Sequence, residues 1–148
     1  MEPRFVDYPS FTAVGLATPF DFVTAQQTIP TLWDRFVPRM KEVRNVPDRR
    51  SFGICRGHEY LACVQVTQVE AVPAGMVAWT VPAGHYAVFT HRGPVSRIGE
   101  TVNRIWKDWL PSSGRVHVEG APDFELYDER FQGASEESEF DLYIPIRK

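Results

Sequence analysis

Apolar and polar positions follow two rhythms, and these recur in the same order in both halves of the chain. Residues 11–18 form a short apolar run of strand length. Leu32, Phe36 and Met40 then repeat every fourth residue, as do Trp33 and Val37, which gives a helix one wide apolar face. Thr28 is placed to cap this helix, with Pro30 in its first turn. Pro38 removes one helical hydrogen bond and should kink or loosen the chain there. Ser51–Arg56 and 59–67 read as strands joined by Gly57-His58. A two-residue loop sets Arg56 opposite Glu59, Cys55 opposite Tyr60 and Phe52 opposite Cys63. Residues 69–81 link the halves and contribute a strand. Beyond them, 86–91 is a strand, and Gly93-Pro94 starts a helix carrying Ile98, Val102, Ile105, Trp106 and Trp109. Pro111 and Gly114 end it. Residues 123–128 and 139–146 form a second hairpin.

The recurrence extends to residue identity. Trp33-Asp34-Arg35-Phe36-Val37-Pro38 returns 73 residues later as Trp106-Lys107-Asp108-Trp109-Leu110-Pro111. Glu59-Tyr60-Leu61-Ala62-Cys63-Val64-Gln65-Val66 returns 80 residues later as Glu139-Phe140-Asp141-Leu142-Tyr143-Ile144-Pro145-Ile146. The added residues fit a longer loop at 132–138. A weaker echo pairs Ala13-Val14 with Ala87-Val88. The expectation is an α+β fold over one domain, 1–148, made by tandem duplication of a strand-helix-strand-strand unit (about 5–67 and 80–146). Two such units would build one antiparallel sheet with two main helices on one side and a central groove between them, the kind of concave seam where ligands bind.

Composition narrows the function. The 148 residues are 43% apolar and 24% charged, with a formal net charge of −3. That is an ordinary globular profile, with no Lys/Arg cluster of the sort a duplex-binding surface needs. Arg49-Arg50 lies beside Asp48 and reads as a solvated loop. Met1-Glu2-Pro3-Arg4 is not followed by the apolar core of a signal peptide, and no apolar run approaches membrane-spanning length. Cys55 and Cys63 do not face each other across the predicted hairpin, so both read as reduced packing residues of a cytoplasmic protein. His58, His85, His91 and His117 show no paired metal-ligand spacing, and neither a metal nor a cofactor is expected.

The combination Pro-Ala-Gly-His-Tyr-Ala-Val-Phe (82–89), Gly93-Pro94, Trp109-Leu110-Pro111 and Phe124-Glu125-Leu126-Tyr127 resembles the GyrI-like effector-binding domain, also found in AraC- and MerR-type regulators. The resemblance is strongest over 81–146. It implies the duplicated (SHS2) fold, a pocket between the helices and a glutamate on its floor, carried here to Glu125. All 148 residues are used by the two repeats, so the resemblance implies a sensor unit without its own DNA reader. One departure is Cys63, where the family often has Gly; it puts the pocket shape near that residue in question.

Strand alternation puts Glu125 and Tyr127 on one face and Phe124 and Leu126 on the other. A buried carboxylate costs several kcal/mol unless paired. A ligand cation can be that partner, helped by aromatic faces; a Tyr or Trp donor, or an open sheet face, would satisfy the carboxylate equally. Tyr60, Tyr127, Trp106, Trp33 and Trp109 are the candidate aromatic wall. The favoured reading is a small-molecule binding protein that sequesters or senses a cationic, amphipathic aromatic compound, with no direct nucleic-acid or membrane contact. One alternative is a hydrolase of strained electrophilic natural products with Glu125 as general base. The other is an inhibitor that meets a protein partner such as gyrase through the acidic loop at Glu136-Glu137.

Overall fold

The computed structural model describes residues 2–21 and 23–148. Met1, from the N-terminal stretch, and Phe22, from the first repeat, lie outside the described residues. Eight strands, β1 (Arg4–Tyr8), β2 (Phe11–Pro19), β3 (Ser51–Arg56), β4 (Glu59–Val66), β5 (Val77–Val81), β6 (Gly84–Arg92), β7 (Asp123–Tyr127) and β8 (Glu139–Pro145), form one antiparallel sheet in the order β1-β6-β8-β7-β3-β4-β2-β5. The predicted hairpin register holds, with Arg56 facing Glu59, Cys55 facing Tyr60 and Phe52 facing Cys63. Gly57 takes a φ of 61°, which suits the first position of a two-residue primed turn.

Chain connectivity forces this sheet to curl. Only Pro9 and Ser10 join β1 to β2, yet those strands stand first and seventh in the sheet. Six flat strand spacings would measure about 29 Å, whereas three Cα steps reach at most about 11 Å. Pro82 and Ala83 impose the same closure between β5 and β6. The inner face of the curl is a core in its own right. Phe52, Ile54 and Leu61 are fully buried there with Phe124, Leu126 and Tyr143. Phe124 stacks on Tyr143 at 4.5 Å, and Tyr8 meets Phe11, Phe124 and Tyr143 edge-on at 5.2–5.6 Å.

The outer face carries the helices. Helix α1 (Ala25–Phe36) seats Leu32 and Phe36 against Val14, Leu16, Tyr60, Ala62 and Val64, and continues as a 3₁₀ turn over Val37–Glu42. The second helical segment runs through α2 (Ile98–Asn103), a π-helical turn (Arg104–Trp109) and α3 (Leu110–Ser113); Ile105 packs with Ala87, Phe89, Phe140 and Leu142. Pro38 thus marks the change from α to 3₁₀ geometry. One helix boundary differs from expectation. Helix α1 begins at Ala25 rather than after Thr28, because Asp21 Oδ1 accepts from the Val23 and Thr24 amides and organises an earlier turn. Pro30 then lies inside the helix. Pro111 sits in the last helical turn, which Gly114 ends at a φ of 73°. Arg50 is no freely solvated residue: it is partly buried and bonds Asp48, Tyr8 and Gln65. Among the described residues, no helix is long and apolar enough to cross a membrane.

The two halves share one strand order, β2-β4-β3 and β6-β8-β7, and join along the β3–β7 seam. Their outer strands are exchanged. Strand β1 pairs with β6 of the second half, with Tyr8 opposite Gly84, and β5 pairs with β2 of the first, with Val81 opposite Phe11. This is one register with the halves swapped, as a pseudo-twofold axis requires. The echo between Ala13-Val14 and Ala87-Val88 is one residue out of step, because Ala13 faces the inner core while Ala87 faces the helices. A shift of 73 keeps the faces and matches Val14 to Ala87 and Leu16 to Phe89.

Candidate functional site

The β3–β7 seam runs between the two helices, and its outer face carries the candidate site. Alternation along β7 turns Phe124 and Leu126 into the inner core and leaves Asp123, Glu125 and Tyr127 on the helix side. Across the seam, β3 opposes them with Cys55, Gly53 and Ser51 respectively. From the next strand, Tyr60 lies over Gly53 and donates its hydroxyl to Glu125 Oε1 at 2.8 Å. Tyr127 donates to the same oxygen at 2.8 Å. Trp33 of α1 completes the chain, donating Nε1–H to the Tyr60 oxygen at 2.9 Å, with its ring edge-on to Tyr127 at 5.6 Å. Gly53 makes this possible, since a Cβ there would overlap both Tyr60 Oη and Glu125 Oε1.

The electrostatics follow from burial with no counter-cation among the described residues. Burial lifts the Glu125 carboxyl to about 7, although the Tyr127 and Tyr60 hydroxyls favour its charged form, and the nearby Asp123 carboxylate lifts it further. Burial also lifts Asp123 to about 6. The Cys55 thiol beside them is pushed up by burial and by both carboxylates. Glu125 Oε2 receives no hydrogen bond among the described residues. No buried side-chain polar atom there is left unpartnered, so Oε2 opens onto accessible space.

Four predicted site residues, Glu125, Tyr127, Tyr60 and Trp33, therefore form one hydrogen-bonded cluster. Trp106 and Trp109 do not join it. Trp106 packs edge-on to His117 at 4.8 Å, and Trp109 packs on Phe89 at 4.9 Å and near Phe5 at 6.3 Å. The π-helical turn that holds both is wider than an α-helical one, so equal sequence spacing does not give Trp106 the direction of Trp33. Cys63 faces the inner core and donates its thiol to the Phe52 carbonyl at 3.4 Å, so it does not shape this site. Gly53 and Asp123 escaped sequence reasoning. Strand alternation would have placed Asp123 beside Glu125, whereas Gly53 needed the seam register.

Two surface hollows lie elsewhere. One of about 590 Å³ is bordered by Asp7, Tyr8, His85 and Lys148, and one of about 490 Å³ by Arg4, Thr90, Arg92, Thr101 and Arg104. Neither contains a predicted site residue. At the first, Asp7 pairs with His85 and Lys148; at the second, Arg4 pairs with Asp141, while Arg92 and Arg104 make no ion pair among the described residues. At the seam, Trp33 stands beside the carboxyl cluster through its bond to Tyr60 and its edge-on contact with Tyr127.

Known proteins share this arrangement at the level of family and fold. The chain is 39% identical to the transcriptional regulator BrlR of Pseudomonas aeruginosa over 157 aligned positions, covering 99% of this chain and 56% of that protein. It thus spans about half the length of this relative. Among solved structures, SAV2435 bound to tetraphenylphosphonium matches with a TM-score of 0.82 at 22% identity, covering 99% of this chain and 94% of that one. A crystal structure of a Staphylococcus aureus MU50 protein matches with a TM-score of 0.76 at 22% identity, over 100% and 99% of the two chains. Residues 1–147 match the sequence model of the GyrI-like small molecule binding domain, and the chain belongs to that family.

Proposed function

We propose that this chain binds a cationic, aromatic small molecule, with Glu125 as counter-charge and Trp33, Tyr60 and Tyr127 as the aromatic surround. The observation that carries the reading is a carboxylate enclosed by aromatic rings, held by two phenols through one oxygen and paired with no cation among the described residues. An enclosed anion of this kind gains most from a cation that brings little hydration of its own, and ring faces add attraction. The binding of tetraphenylphosphonium by a protein of the same fold is consistent with this. Likeness to a transcriptional regulator favours sensing as the use of binding, with sequestration the simpler form. Two unpaired cysteines suit a cytoplasmic setting.

A second reading draws on the Glu125 carboxyl near 7, which would suit a general base for hydrolysis of an electrophilic ligand. The partner-inhibitor reading has less support, since Glu136 is already engaged by Arg97 at 2.7 and 2.9 Å.

The test is titration of tetraphenylphosphonium and of neutral triphenylphosphine oxide against the wild type and Glu125→Gln. The substitution should weaken the cation by about 2–3 kcal/mol, or about 30- to 150-fold, and the neutral compound far less. Equal cation affinity in both proteins removes Glu125 from the site. Recovery of a chemically altered ligand would favour the hydrolase.

A further inference from the structure

We propose that the Glu125 site is built for dications, with Asp123 as a second anionic subsite, so that the preferred ligand is an aromatic molecule with two positive centres about 7 Å apart. The proposal rests on the cation-binding reading of Glu125 and specifies the ligand class. Asp123 and Glu125 lie two residues apart on one face of β7, the spacing that sets the charge separation. Both are half-buried, and among the described residues no Lys, Arg or His pairs with either. Among the described residues the Asp123 carboxylate has no side-chain partner; its own backbone amide favours the charged form, and the residue, like Glu125, keeps partial exposure. The facing residues of β3 are small, Cys55 opposite Asp123 and Gly53 opposite Glu125, and Tyr60 reaches the seam at Gly53, beside Glu125.

Two partly buried like charges also disfavour each other. Asp123 raises the Glu125 carboxyl, and a single cation relieves only part of that repulsion. A dication matched to the spacing neutralises both carboxylates at once. The rest of the protein handles its enclosed acids differently. Asp141, a buried carboxylate, is met by Arg4, Arg130 and Thr90, and its carboxyl is held low by those groups despite burial. Among the described residues, the seam carboxylates stand apart in having no such internal cation.

Propidium, a dication, and ethidium, a monocation, share one aromatic scaffold and form the test pair. The wild type should bind propidium at least about tenfold more tightly than ethidium at low salt. Asp123→Asn should bring the ratio close to one while changing ethidium affinity less than about threefold; Glu125→Gln should weaken both dyes. An unchanged ratio in Asp123→Asn overturns the proposal. Should that variant melt early, salt titration of the wild type decides: propidium affinity should fall about twice as steeply with log salt as ethidium affinity, and equal slopes overturn the proposal. A wild type that binds ethidium without preferring propidium defeats the second subsite alone. A wild type that binds neither dye defeats the cation-binding reading and this proposal with it.

Discussion

Gly53 and Glu125 face each other across the β3–β7 seam and occupy matching positions of the two halves. Gly53 pairs with Ala62 on its other side and Glu125 with Leu142, and those residues correspond in the repeat. The pseudo-twofold axis therefore passes between them. One half supplies a carboxylate there, and the other supplies the missing side chain that lets Tyr60 reach it. The neighbours have diverged in the same sense: Tyr127 stands where the first half has Cys55, and Tyr60 where the second has Phe140.

Gly53→Ala tests that division of labour. The new methyl group would overlap Tyr60 and Glu125, so one of them must move. Overpacking of this kind costs about 1–3 kcal/mol. The expected outcome is a lower melting temperature together with weaker tetraphenylphosphonium binding. A variant with wild-type stability and affinity would show that the Tyr60–Glu125 contact is dispensable.

The raised carboxyl of Glu125 gives stability and binding opposite pH trends. Its folded value of about 7 lies above the ordinary 4.5, so the native state holds its proton more tightly than the unfolded chain. Stability from this group is then full below about 4.5, falls as pH rises to about 7, and is level above. The difference is at most about 3 kcal/mol at 1.36 kcal/mol per unit. Denaturant unfolding at pH 5 and pH 8 should show a larger loss in the wild type than in Glu125→Gln. If Glu125 is the counter-charge proposed above, tetraphenylphosphonium binding requires the ionised form, so its affinity should rise as pH passes from 5 toward 7 and change far less in Glu125→Gln. Parallel pH profiles in the two proteins would contradict this.

Tyr60→Phe removes one hydroxyl from the cluster while keeping the ring. Phe140 in the matching place shows that a phenyl group is accommodated there. Trp33 Nε1–H loses its acceptor and Glu125 loses one of two donors. The expected cost is about 1–2 kcal/mol. The midpoint of the binding pH profile should move upward, because one group that favours the charged carboxylate is gone. Tryptophan fluorescence should report the change at Trp33. A purely packing role for Tyr60 would leave the midpoint where it was.

Much of this protein is legible in its sequence. The period-four helix at Leu32 and Phe36, the hairpin register around Gly57-His58 and the face assignment of Glu125 and Tyr127 depend on neighbours in the chain, so local rules reach them. The repeat was also visible, and Pro9 and Pro82, 73 residues apart, carry it into the two short links that curl the sheet. Strand β1 was missed because it has no partner in its own half; its exchange onto β6 is a long-range pairing that five residues cannot announce. The site divides along the same line. Alternation selected Glu125, but its hydrogen bonds come from Tyr60, 65 positions away, and depend on Gly53 across the seam. Trp33 and Trp106 look equivalent in sequence, and only the tertiary structure separates them. A π-helical turn reorients one, whereas the Tyr60 hydroxyl, absent from Phe140, anchors the other. Residue type and spacing determine which face a side chain occupies; the register between distant strands decides what it meets there.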